Sequence, residues 1–421
     1  MNIQIINTGS ELMLGRVLNT HQQWLCRKLA DLGYPVSRQV AVDDSAEAIQ
    51  AAVREALATA DLLITTGGLG PTSDDRTRDL IAALLGRKLH EDAAILARIE
   101  AFFASRKRPM PAMTKIQAQV PEGALVLPNA HGTAPGLAID ISPNSFRQNR
   151  NPSWLVMLPG PPRELHPMFS EQVAPLLKTK FPLAAPFVCR TLKTTGLGES
   201  VVQEQIAGPL HSLTEAGLEI GYCASVGEVD VRLVAQGQHA SRQVAEGERI
   251  IRSLIGRHIF GQDDDELETV LVRLLTARKQ TVAVAESCTG GRIADRFTNV
   301  PGASAVFLCG LITYSNDAKQ RLLGVCAETL AAHGAVSEPV AKEMAQGARE
   351  RCGADYALSV TGIAGPSGGT AEKPVGTVFI ALATAQHTFV LNPMNPYDRE
   401  TFKQVTSQQA LELLRRTILA A

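Results

Sequence analysis

The sequence predicts an α/β protein in which two α/β domains are joined by a small α+β domain. Three observations predict it. Strand-like apolar runs alternate with helical patterns through residues 1–175 and again through 265–421. Between them, residues 187–258 read as strand, helix, two strands and a helix. Two stretches with linker character, Phe181-Pro-Leu-Ala-Ala-Pro186 and Gly261-Gln-Asp-Asp-Asp-Glu266, separate the three blocks.

In the first block, strands are expected at residues 2–7, 35–42, 61–65, 125–127, 136–141 and 154–158. Helices are expected at 20–32, 45–59, 79–85 and 92–105. Such alternation favours a largely parallel sheet. Residues 142–153, rich in Ser, Asn and Pro, read as an exposed loop. The middle block has expected strands at 188–195, 218–224 and 228–236, with helices at 199–207 and 240–255. The last block opens with a helix at 267–278, whose start is suited by the acidic residues of 261–266. Strands follow at 281–285, 305–313, 356–361, 376–384 and 387–391, and a helix at 398–419 closes the chain.

Bulk properties exclude several function classes. The 421 residues include 41 basic and 42 acidic side chains, for a formal net charge of −1. That balance gives no long-range attraction to nucleic acid or to an anionic membrane. The 7 cysteines contain no Cys-x-x-Cys pair, which argues against a disulfide framework and a thiolate zinc site. No apolar run reaches the ~18 residues of a membrane span. The opening Met1-Asn-Ile-Gln-Ile-Ile6 reads as a strand rather than a secretory leader. The expectation is a cytoplasmic protein with no nucleic-acid or membrane partner.

The last block carries the sharpest chemical signal. Ala285-Glu-Ser287-Cys288-Thr289-Gly290-Gly291 follows a strand and precedes a helix. A small hydroxyl at such a turn lies near unpaired backbone N–H groups, here those of Thr289, Gly290 and Gly291, which can hold an oxyanion. A serine needs a base to become a useful nucleophile. Lys319 is a candidate if burial lowers its pKa, and Tyr314 can pass a proton or orient the lysine. Thr361 and Gly362, at another strand end, are candidates to line the same crevice. Cys288 competes as nucleophile on reactivity, and spacing alone leaves that choice open.

The first block carries a second motif, Thr65-Thr66-Gly67-Gly68-Leu69-Gly70-Pro71-Thr72-Ser73-Asp74-Asp75. Gly67, Gly68 and Gly70 allow the backbone to approach an anion, and Asp74 and Asp75 suit a hard divalent cation. A Walker loop is excluded, since no Gly-Lys-Ser/Thr follows.

Several strings together resemble the CinA family. In the last block these are Ala285-Glu-Ser-Cys-Thr-Gly-Gly291, the Tyr314…Lys319 segment, His333-Gly-Ala-Val-Ser337 and Ser359-Val-Thr-Gly-Ile-Ala-Gly-Pro366. They match the family's C-terminal, PncC-type nicotinamide-nucleotide amidase domain. The resemblance implies hydrolysis of the carboxamide of nicotinamide mononucleotide to nicotinate mononucleotide and ammonia, a step of pyridine-nucleotide salvage. It implies Ser287 as nucleophile, Lys319 as base, Tyr314 as their neighbour, and no cofactor for this step. Where the family usually shows Gly-Asp-Arg-x-x-Val-Arg, this chain has Tyr397-Asp-Arg399-Glu-Thr-Phe-Lys403. Arg399 is retained as a phosphate contact; Lys403 keeps a charge without the planar fork of arginine.

In the first block, Thr8-Gly-Ser-Glu11-Leu12, Gly15-Arg-Val-Leu-Asn-Thr20 and Leu158-Pro-Gly-Pro-Pro-Arg-Glu164 resemble the family's N-terminal domain. That domain has a molybdopterin-binding, MogA/MoaB-like fold. The resemblance implies a metal-dependent ADP-ribose pyrophosphatase with a divalent ion, Mg, Mn or Co. It implies Asp75 as the leading metal contact, with Asp74, Glu11 and Glu164 beside it. His21 stands where many relatives have Asn, and reads as a surface cap residue. The middle block resembles the family's KH-type domain, but Gly196-Leu-Gly198 is not a Gly-x-x-Gly clamp, so RNA binding is not expected. The resemblance further implies a homodimer acting on small nucleotides. Two alternatives stand beside this reading: only the amidase is active, or the chain is a non-catalytic pterin- or nucleotide-binding adaptor.

Overall fold

In the computed structural model, which describes residues 1–420, the chain forms two compact units: Met1–Val188, and the remainder from Cys189 onward. The first unit is built on a six-stranded sheet in the order β2-β1-β3-β8-β7-β6. Its strands are β1 (Ile3–Thr8), β2 (Val36–Val42), β3 (Leu62–Thr66), β6 (Ala124–Leu127), β7 (Gly136–Ile141) and β8 (Ser153–Leu158). Pairing is parallel from β2 to β8, and antiparallel from β8 through β7 to β6. Central strand β3 is buried on both faces. Leu63 joins one core with Ile49, Val53 and Leu57, while Leu62 and Ile64 join the other with Leu25 and Leu29. An unbroken apolar run is what such a strand requires.

Two features of this unit depart from the sequence reading. A short ribbon of β4 (Leu89–Glu91) and β5 (Gln119–Pro121) was not expected. The loop at 142–153 is pinned rather than wholly exposed. Asn144 is buried, and its amide donates to the Leu57 carbonyl and the Ser153 hydroxyl, both at 2.8 Å.

The second unit contains two sheets. The smaller has the order β10-β11-β9-β12, from β9 (Phe187–Thr195), β10 (Glu219–Ser225), β11 (Glu228–Gln236) and β12 (Ile259–Gln262). Strand β12 takes up part of the segment read as a linker, because Ile259 and Phe260 are buried. The larger has the order β14-β13-β15-β16-β17, from β13 (Val282–Glu286), β14 (Phe307–Ile312), β15 (Tyr356–Gly362), β16 (Val378–Ala383) and β17 (Thr388–Leu391). Strands β14, β13 and β15 are parallel; β16 and β17 are antiparallel additions.

The blocks read as separate middle and last domains pack into this one unit. The C-terminal helix Arg399–Ala420 serves both: Phe402, Leu411, Leu414 and Ile418 enter the core of the larger sheet. Gln408 donates to Glu228 of β11 at 2.8 Å, and Arg415 donates to the Arg257 carbonyl at 2.8 Å. Burial pushes the Glu228 carboxyl up to about 7, with the Lys193 ammonium opposing that rise. No helix among the described residues is long and apolar enough to cross a membrane.

Candidate functional site

Strand pairing assembles the first site. Glu286 of β13 lies opposite Ile312 of β14 and Val360 of β15. The residues just beyond, Ser287, Thr313 and Thr361, therefore stand together at the carboxyl ends of three parallel strands. Open α/β sheets place ligands at such ends. From β14 the chain turns at Ser315, whose hydroxyl caps the helix Asn316–Leu323, and this helix carries Lys319 back under the sheet end.

Lys319 is almost fully buried, and its Nζ lies 3.0 Å from Ser287 Oγ. Two backbone carbonyls complete its surroundings, Thr313 at 2.8 Å and Tyr314 at 3.3 Å. No carboxylate pairs with it among the described residues. Burial therefore holds the lysine below its ordinary value, with only the neighbouring Cys288 acting, more weakly, in the opposite sense. Cys288 lies in the core, where burial pushes its thiol up to about 12. A thiol that resists ionisation to that degree is a poor nucleophile at neutral pH.

The geometry corrects the roles given to Gly290, Gly291 and the Tyr314 side chain. Of the N–H groups assigned to an oxyanion, those of Gly290 and Gly291 are already committed. Gly290 donates to the Ser287 carbonyl at 3.2 Å and Gly291 to the Glu286 carboxylate at 3.0 Å. Thr289 is buried, and its backbone N–H faces the Cys288 thiol. The Tyr314 side chain does not reach Lys319; its carbonyl does, while its hydroxyl accepts from Arg399 at 3.1 Å. The Thr361 hydroxyl is spent on the Ala335 carbonyl at 2.8 Å, and Gly362 packs against Thr377 and Val378. These two shape the strand end and offer no free donor side chain.

Arg399 also donates to the Gly365 carbonyl at 2.9 Å. Lys403 sits one turn further along the same helix face, half-buried.

One residue of this site escaped the sequence reading. Glu286 is fully buried and accepts from the N–H groups of Gly291 (3.0 Å), Ile293 (3.2 Å) and Ala294 (2.9 Å). A carboxylate under a helix start satisfies otherwise orphaned donors and complements the helix dipole. Its position at the end of an apolar strand was the available signal. Glu286→Gln is expected to destabilise the fold by roughly 2–4 kcal/mol, because the amide replaces charged acceptors with donors facing donors. Chemical denaturation of the full chain checks this, and an unchanged midpoint would count against the capping role.

The second candidate site is a cavity of about 570 Å³ in the first unit. Glu11, Gly67, Gly68, Gly70, Asp74, Asp75 and Glu164 all line it. Gly67 and Gly68 both adopt positive φ, which turns the chain sharply after β3. A Cβ on Gly70 would lie 2.2 Å from Asp75 Oδ2, and one on Gly132 would lie 2.0 Å from Glu164 Oε2. Glycine at these two positions makes room for the carboxylates.

Among the described residues no three His, Cys, Asp or Glu side chains converge as a metal-holding set. Two of the carboxylates are locally engaged: Asp75 accepts from the Thr72 N–H at 3.0 Å and Glu164 accepts from Asn129 at 2.7 Å, while Asp74 is exposed. The donor set fits an ion shared with phosphate oxygens, since Mg²⁺ is commonly held by one or two carboxylates plus substrate phosphates. His21 is not a surface cap. Asn19 caps that helix, accepting from the Gln22 N–H at 3.2 Å, and His21 lines the cavity with its ring nearly perpendicular to that of His166.

Fold and sites together define a multidomain α/β protein, with a buried serine–lysine pair at one sheet end and a glycine-lined cavity at another. Family models match nearly the whole chain: "Probable molybdopterin binding domain" over residues 4–179, "Damage-inducible protein CinA KH domain" over 189–261, and "CinA C-terminal domain" over 264–418. The chain is 43% identical over 412 residues to a CinA-like protein of Akkermansia muciniphila, covering 98% of this chain and 96% of that protein. It is 43% identical over 424 residues to a CinA-like protein of Desulfovibrio desulfuricans, covering 99% and 96%. Among solved structures, a competence/damage inducible protein of Agrobacterium tumefaciens is 43% identical, with a TM-score of 0.35, covering 35% of this chain and 92% of that one. The chain belongs to the CinA family.

Proposed function

We propose that the second unit hydrolyses the carboxamide of nicotinamide mononucleotide, with Ser287 as nucleophile and Lys319 as its base. The observation that carries the reading is the buried lysine amine 3.0 Å from the serine hydroxyl, without a carboxylate partner. A neutral amine has two N–H bonds and one lone pair. The Thr313 and Tyr314 carbonyls accept the two N–H groups, and the lone pair is left for the Ser287 hydroxyl.

Ser287 Oγ bonds to the carboxamide carbon, and its proton moves to Lys319 Nζ. The tetrahedral intermediate collapses, the C–N bond breaks, and the proton on Nζ leaves with the nitrogen as ammonia. Water attacks the resulting ester and gives a proton to Nζ. That proton returns to Ser287 Oγ as the nicotinate mononucleotide departs. The Cys288 and Thr289 N–H groups at the turn are the local donors proposed for the oxyanion, and Arg399 with Lys403 supplies positive charge for the phosphate. Ammonia release from nicotinamide mononucleotide by the full chain, without added metal, tests the proposal; no release at any neutral or alkaline pH would sink it.

The cavity of the first unit favours a second, separate reading, cleavage of ADP-ribose to AMP and ribose 5-phosphate. Its glycine-rich strand end and its volume, about 570 Å³, suit a dinucleotide-sized anion. Asp75 and Glu11 would hold a divalent ion together with the diphosphate, and the ion supplies charge neutralisation there. Asp75→Asn is expected to lower divalent-dependent AMP formation at least ~10-fold while ammonia release is unchanged. Equal AMP formation by the variant removes Asp75 from the ion's surroundings.

A further inference from the structure

Tyr314 is 65% exposed, although its backbone carbonyl touches the buried amine of Lys319. It follows β14, while Gly365 follows β15, and Ser287 stands at the end of β13 between those strands. Arg399 joins the two flanks, donating to the Tyr314 hydroxyl and the Gly365 carbonyl. The tyrosine is thus held by its hydroxyl, in the plane of its ring. No other ring or cation of the described residues lies on either face.

We propose that the free face of Tyr314 recognises the positive charge of a pyridinium ring, so that the site selects oxidised, cationic nicotinamide nucleotides over their neutral reduced forms. The inference rests on the amidase reading and names the charge state of its substrate. A cation over an aromatic face is attracted by the ring quadrupole, whereas a neutral dihydropyridine of nearly the same shape is not. On the amidase reading Arg399 also meets the substrate phosphate, so one residue would orient both recognition elements. Tyr314 on this view positions and selects substrate; it transfers no proton.

The test uses full-length Ser287→Ala protein, so that ligand is bound and not consumed. Calorimetry is run with nicotinamide mononucleotide and with its reduced form. Tyr314→Leu on that background is expected to weaken the oxidised nucleotide about tenfold and to leave the reduced one within about twofold. Tyr314→Phe, which keeps the ring and loses the Arg399 contact, is expected to retain most of the preference for the oxidised form. Equal weakening of both ligands by Tyr314→Leu, or weakening of neither, overturns the inference. Wild-type protein that binds neither nucleotide and releases no ammonia overturns the amidase reading itself, which separates the two failures.

Discussion

Ser287→Ala is expected to abolish ammonia release from nicotinamide mononucleotide, lowering kcat by ~10⁴-fold or more, with little change in fold stability. Removing the nucleophile of a unit that acts together costs nearly all of its catalysis. The stability expectation follows from the small volume lost and from the carbonyls that still hold Lys319. The paired control is Cys288→Ala. With its thiol pushed up to about 12 by burial, Cys288 is expected to contribute packing alone, and the variant should keep activity within a few-fold. The reverse pattern, activity retained without Ser287 and lost without Cys288, would transfer the nucleophile to the neighbouring residue.

Lys319→Met is expected to be nearly as damaging, by ~10²–10⁴-fold, the usual range for a positioned base. Two further measurements distinguish a base from a structural lysine. The first is the pH profile of the wild type. The active form is the neutral amine, so kcat/KM rises with pH, with its inflection below the ordinary lysine range because burial lowers the pKa. The second is stability. The folded state binds the lysine proton less tightly than the unfolded chain does. Between the lowered folded value and the ordinary unfolded one, the unfolded state holds more protons, so stability rises with pH across that interval. Below the folded value both states are protonated, and the full cost of burying the charge remains. Methionine carries no titrating charge, and the stability of the variant should lack this pH dependence. A variant that is inactive but less stable, with a flat wild-type pH profile, would assign Lys319 a structural role.

How much of the site was readable in sequence depends on where each contact originates. Ser287 and Lys319 were legible as residue types because strand-to-helix turns announce themselves through apolar runs, glycines and a capping serine. Their proximity was not legible. They are 32 positions apart and meet only because β13 pairs with β14 in a register that sets Thr313 beside Ser287. Glu286 was overlooked for a related reason. In sequence it ends an apolar strand; in space it lies beneath three N–H groups of the following helix. That same placement removed Gly291 from the expected oxyanion donors. Tyr314 was placed beside the lysine correctly along the chain, yet its side chain is drawn to Arg399, 85 positions away.

The first unit shows the same division. Turn chemistry after β3 put Gly67, Gly68, Gly70 and Asp75 on one cavity wall with Glu11 and Glu164. Local hydrogen bonds from Thr72 and Asn129 then engaged two of those carboxylates, and spacing carries no information about such competitors. The linker expected at 261–266 was likewise shortened by a partner: Ile259 and Phe260 find burial, and the segment becomes β12 on the edge of the smaller sheet.

From its sequence alone this chain's α/β character, the order of most of its elements and the turns that carry its candidate residues follow, because periodicity, caps and turns are local properties of the backbone. Tertiary structure alone decided which hydroxyl, amine and carboxylate share a space, which donors remain free, and how far burial shifts Lys319. Those depend on strand register and exclusion of water, which are set by residues far apart along the chain.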